Sequence, residues 1–171
     1  SAYERMKEEQ LAADALASYD RAVALHPDFA EAHYNRGNAL LDLERHADAL
    51  ASYDAALALQ PAYPQALYNR GVVLQEQKRP DEAADAFDRL LEIAPDHPFA
   101  KGWRLHAKMH ACDWTDHAAA IAAVDADVRA GKRSVEPFVY LATSSSPEDL
   151  RRCAEIFVSA RHPSAPDPLW H

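Results

Sequence analysis

His106 and His110 stand four residues apart, one turn of a helix, and Cys112, Asp113 and His117 follow closely. Imidazole, thiolate and carboxylate are the donors zinc prefers. The pattern nevertheless has no Cys-x-x-Cys pair and no glutamate after His106, as a zinc-protease helix would need, so groove-lining or packed histidines are the better expectation. The carboxylate pairs Glu8 with Glu9 and Asp81 with Glu82 fall in early helical turns, where negative charge meets the helix dipole, and read as solvated faces. The serine run Ser144-Ser145-Ser146 lacks the strand-turn-helix setting of a nucleophile elbow. Only four glycines occur, Gly37, Gly71, Gly102 and Gly131, too few and too scattered for a phosphate-cradling loop. The expectation is a non-catalytic chain with no cofactor and no bound metal.

The elements that carry these residues are set by a period. Pro27, Pro61 and Pro95 are spaced 34 residues apart, and the same step links Ala15, Ala49 and Ala83, then Tyr19, Tyr53 and Phe87. Tyr34-Asn35-Arg36-Gly37 recurs as Tyr68-Asn69-Arg70-Gly71. These residues resemble the tetratricopeptide pattern, in which each unit is a helical hairpin that cannot cover its own apolar face, so that neighbours stack and complete the core. The fold class implied is all-α, an α-solenoid coiled as a right-handed superhelix, with about three helical hairpins and a degenerate helical cap.

Helical spacing predicts helices near 8–25, 30–43, 47–59, 64–77, 81–93 and 98–110, with weaker ones after Thr115 and Ser146. Asp28 with Glu31 reads as a capping box opening the second helix. Ser146 reads as a cap with Pro147 at the first helical position, and Asp149 placed to reach back. A further 34-residue step would require a small residue, an aromatic and a proline where the chain has His117, Ile121 and Arg129. The domains expected are therefore repeats over 1–97 (a partial first, then 30–63 and 64–97), a degenerate capping pair over 98–130, and a helical linker over 131–171. Arg36 and Arg70, at positions where leucine is usual, are expected to pack their stems and to pair with Asp20 and Asp54.

Glu31, Asn35, Asn38 and Asp42 share one face of the second helix, and Gln65, Asn69, Val72 and Glu76 share that of the fourth. A carboxamide donates and accepts, so Asn35 and Asn69 could hold a peptide backbone in both directions. Helices about 8–10 Å apart and a peptide rising about 3.3 Å per residue would match one asparagine to roughly every third peptide residue. The competing assignment is that these asparagines solvate a polar face or tie one repeat to the next. Tyr34, Tyr68, Phe99 and Trp103 would supply aromatic surface. A clamp for a terminal carboxylate is excluded, because Tyr34, Asn38, Phe99 and Trp103 stand where lysine or arginine would be needed.

Net charge is −9, with 18 Lys plus Arg against 27 Asp plus Glu, which disfavours nucleic acid and anionic lipid. Two cysteines, Cys112 and Cys153, suit a reducing compartment, and a cytoplasmic location is expected. The longest apolar run, 118–124, falls far short of the roughly 20 residues a bilayer requires, and no signal peptide is evident. A start at Ser1 in mid-repeat suggests an excised fragment.

The block Lys108-Met109-His110-Ala111-Cys112-Asp113-Trp114, followed by Gly131, Val135, Pro137-Phe138 and Leu141, is not repeat sequence. It resembles the segment between repeats and catalytic domain in bacterial relatives of the O-linked N-acetylglucosamine transferases, the SPINDLY-like glycosyltransferases. Ser146-Pro147-Glu148-Asp149-Leu150, Arg161-His162-Pro163 and Pro168-Leu169-Trp170 follow that family's order too. The resemblance implies a two-lobed transferase domain, using a nucleotide diphosphate sugar, beginning after His171. It also implies that this chain presents protein or peptide partners to that domain, and that Asn35 and Asn69 match the family's groove asparagines. The third ladder position falls on Trp103, where the ladder departs from the family.

Overall fold

The computed structural model describes residues 2–161, all of whose regular structure is helical. The order is α1 (Ala2–Leu25), α2 (Ala30–Asp42), α3 (His46–Leu59), α4 (Pro64–Glu76), α5 (Pro80–Ile93), α6 (Ala100–His110), α7 (His117–Arg129), α8 (Pro137–Leu141) and α9 (Pro147–Arg161). The chain divides into two compact units, one ending at Ile93 and the other beginning at Ala94. The proline-rich run expected as a linker from Pro163, and Pro168-Leu169-Trp170, lie outside the described residues. No described helix is long and apolar enough to cross a membrane.

In the first unit α1 packs on α2, α2 on α3, α3 on α4 and α4 on α5. The repeated small residues explain how. A Cβ on Gly37 would sit 2.5 Å from the Tyr53 ring, and one on Gly71 would sit 2.7 Å from the Phe87 ring. Each glycine is thus a seat for the aromatic 16 residues later, and both rings are fully buried. Ala49, Ala56, Ala66 and Ala83 are also fully buried, so the backbones approach closely around the two rings. Burying each ring stabilises the unit by about 1.5–3 kcal/mol.

The turns keep the period where the side chains lose it. Glu44, Lys78 and Cys112, again 34 apart, are left-handed at φ 57°, 58° and 56°. Each amide donates to the carbonyl three residues back, and the next amide to the carbonyl five back: Arg45 to Leu40, Arg79 to Leu74, Asp113 to Lys108. This pair of hydrogen bonds is the Schellman ending, which satisfies the last helical carbonyls. Gly131, at φ 77°, closes α7 by the same pair of bonds through Gly131 and Lys132.

Several helix ends differ from expectation. The first helix begins at Ala2 and not near residue 8. The Asp28–Glu31 capping box does not form: the residue preceding α2 is Phe29, and no side chain caps the helix. The sixth helix starts at Ala100 because Phe99 is left-handed, at φ 63°. Carbonyls from the α7–α8 connection cap that start, with Phe99 N donating to Arg133 O at 2.6 Å and Gly102 N to Ser134 O at 2.8 Å. Ser146 does cap α9, its Oγ accepting from Asp149 N at 3.2 Å, whereas the Asp149 carboxylate turns to Arg129 at 2.6 Å.

In the second unit α6 packs on α7 and α8, and α9 packs on α7 and α8. Its core is Leu105, Val124, Val128, Val135, Val139, Tyr140 and Cys153. Gly102 lets the chain pass close by, since a Cβ there would lie 2.7 Å from the Val135 Cα.

Candidate functional site

The α2 and α4 face of the first unit brings together most of the residues predicted for a groove. Glu31 and Gln65 are exposed, and Tyr34, Asn35, Asn38, Tyr68 and Asn69 are half-buried. Tyr34 rests 5.0 Å from Tyr63 and 6.0 Å from Tyr53 between ring centroids, and Tyr68 meets Phe87 edge-on at 6.2 Å. Tyr63, which leads into Pro64 at the head of α4, belongs to this aromatic shelf and was missed because it precedes the helical pattern.

The two ladder asparagines are not equivalent. Asn69 donates from Nδ2 to Asn38 Oδ1 at 2.9 Å and more weakly to Tyr34 at 3.4 Å. Asn38 Oδ1 also accepts from the Tyr53 hydroxyl at 2.7 Å, and burial pushes that phenol far above its ordinary pKa. Asn69 therefore ties one hairpin to the next. Among the described residues, no hydrogen bond reaches the Asn35 carboxamide. One step on, Asn38, Tyr53 and Asn69 become Val72, Phe87 and Trp103. All three members of this network are replaced together, as expected if they serve one another.

The expected arginine pairs form. Arg36 Nε donates to Asp20 at 2.6 Å, with a second bond from Nη1 to Ser52 Oγ at 2.7 Å, and Arg70 Nε donates to Asp54 at 2.7 Å.

Phe99 and Trp103 lie in the second unit, where both rings are engaged. Phe99 meets Phe157 edge-on at 5.9 Å, and Trp103 meets His106 edge-on at 5.8 Å with its Nε1 buried and without an acceptor among the described residues. The His/Cys/Asp set does not assemble. Cys112 is exposed in its turn, and His117 meets Trp114 edge-on at 4.8 Å. Asp113 accepts from Thr115 and pairs with Lys108, which holds its carboxyl at about 2. Among the described residues, no group of three or more His, Cys, Asp or Glu could hold a metal ion. His106 and His110 do converge, with Nε2 atoms 3.2 Å apart; burial, then the neighbouring His110, lowers the His106 pKa.

Helical hairpins stacked at a fixed step, each seated small residue against aromatic, define the first unit as a helical-repeat interaction scaffold. The tetratricopeptide repeat model matches residues 2–64 and again 36–98, and the chain belongs to that family. The crystal structure of MamA protein is similar at 21% identity and TM-score 0.59, covering 92% of this chain and 71% of that one. The MamA RS-1 ArsTM double mutant is similar at 19% identity and TM-score 0.65, covering 94% of each. The first TPR of Spaghetti (RPAP3), bound to the HSP90 peptide SRMEEVD, is similar at 18% identity and TM-score 0.55, covering 66% of this chain and 96% of that one. No curated protein matches the sequence.

Proposed function

We propose that the first unit binds an extended polypeptide along the α2–α4 face. Asn35 carries this reading, because it is a half-buried carboxamide with no partner among the described residues, next in sequence to the Tyr34 shelf. It can donate to one peptide carbonyl and accept from one peptide amide. Asn69 has spent its amide hydrogens on Asn38 and Tyr34 and contributes at most its carbonyl, so the grip is asymmetric. Tyr34, Tyr63 and Tyr68 offer aromatic surface at low entropic cost. Phe99 and Trp103, committed to Phe157 and His106, stay out of this grip. The peptide-bound TPR of Spaghetti (RPAP3) supports peptide binding as a use to which this fold is put.

The test is selection of binders from a displayed library of unstructured twelve-residue peptides, followed by affinity measurement. Asn35→Ala is expected to weaken the selected peptides at least tenfold with helicity unchanged. Undiminished affinity in that variant rejects the grip.

A second reading rests on the resemblance around Cys112-Asp113-Trp114: the module presents acceptor polypeptides to a glycosyltransferase domain within the same cytoplasmic protein. Sequencing the reading frame beyond His171 tests it. Two nucleotide-sugar lobes would occupy on the order of 300 residues. A stop codon soon after His171 would instead favour a free-standing scaffold.

A further inference from the structure

We infer that His106 and His110 form a two-nitrogen site for a borderline divalent transition-metal ion of the Cu2+, Ni2+ or Zn2+ class. Both residues lie on α6, with His110 its last residue, and their Nε2 atoms are 3.2 Å apart. Two imidazole nitrogens bound about 2.0–2.1 Å from one metal, at about 90–110° to each other, are themselves about 2.9–3.4 Å apart. The pair therefore already has the bite of cis coordination. The helix fixes it, because residues four apart lie on one face, and the Trp103 edge braces the His106 ring.

The surroundings select the kind of ion. The histidines border an open pocket of about 530 Å³ whose other walls are apolar, among them Met109, Trp114, Phe138 and Leu141. It leaves room for waters to complete the coordination sphere. No carboxylate lines it, so hard, oxygen-seeking Mg2+ and Ca2+ are disfavoured. Imidazole nitrogen suits copper, nickel and zinc, with Cu2+ held most tightly. Without metal, one ring donates a hydrogen bond to the other across the same gap. When the ion binds, the donating ring carries its proton on Nδ1 instead, so that both Nε2 lone pairs face the metal.

Isothermal titration of the tag-free chain with NiCl2 and with CuCl2 tests the site. One saturable equivalent is expected, weakened at least tenfold by His106→Ala or by His110→Ala. His33→Ala, His97→Ala and His117→Ala should leave it unchanged. His110 is exposed, so His110→Ala should keep its fold, as circular dichroism would verify, and that variant alone decides the question if His106→Ala does not fold. Paramagnetic resonance of the Cu2+ complex should show two coordinated nitrogens, reduced to one by His110→Ala. Absence of saturable binding tighter than about 1 mM, survival of the site in His110→Ala, or its loss in His117→Ala would each overturn the assignment.

Discussion

The first unit repeats its side chains, whereas the second keeps the turn and little else, with Ala100 at the buried step of Ala32 and Ala66. Gly37 with Tyr53 and Gly71 with Phe87 are one packing solution used twice, and sequence periodicity follows because stacked, like hairpins present like surfaces to one another. After Ile93 the glycine-seated rings give way to a core of Leu105, Val124, Val128, Val135 and Val139 around Tyr140, braced by Arg129–Asp149 and Lys101–Asp127. Cys112 nevertheless takes the left-handed turn of Glu44 and Lys78. Backbone hydrogen bonding can hold a hairpin step through a wide exchange of core side chains.

Substitutions can break this contrast. Phe87→Ala should be the most damaging, losing about 3–5 kcal/mol in a urea melt, because it empties a fully buried ring site. Gly71→Ala should cost about 1–3 kcal/mol, since its Cβ would enter the Phe87 ring and the closed core cannot yield. A neutral Gly71→Ala would mean the repeat spacing has another cause.

Acid should separate the units. In the second, Asp96, Asp113, Asp116 and Asp149 all have lowered pKa values. Lys132 lowers Asp96, Thr115 and Lys108 lower Asp113, and Arg129 lowers Asp149; Asp116 is lowered by Arg104 and Lys108 against the opposing effect of burial. In the first unit a comparable shift falls on Glu82, bonded to Arg79. A depressed carboxyl pKa adds stability above the unfolded value near 3.8 that is lost as pH falls, for Asp113 towards about 2. Hydrogen exchange measured from pH 5 to about pH 2 should therefore show protection lost first in α6 to α9. Earlier loss in α2 to α5 would reverse the comparison.

Tyr53→Phe should cost about 1 kcal/mol by removing the bond to Asn38, while leaving Asn69 bonded there. Arg36→Ala should cost about 1 kcal/mol, and less at high salt, because it breaks a partly exposed pair with Asp20 together with the bond to buried Ser52. An unchanged melting temperature in that variant would make the pair incidental.

The family, the helix order and the Arg36–Asp20 and Arg70–Asp54 pairs were legible in the sequence because each repeats at a fixed step. Helix α8, only five residues long, carries too little periodicity to be read. The start of α6 depends on carbonyls of Arg133 and Ser134, more than 30 residues away, which no local pattern encodes. Asn35 and Asn69 look identical as letters. They diverge because Asn38 lies within reach of Asn69, and that meeting exists only once the hairpins have stacked.

The most direct test follows the side-chain amide resonances of Asn35 and Asn69 by NMR while a selected peptide is added. The Asn35 signal should shift strongly and saturate with the peptide, with Asn69 moving far less because its hydrogens stay on Asn38 and Tyr34. Saturable binding that leaves Asn35 unmoved and shifts residues of α3 and α5 instead would contradict the account.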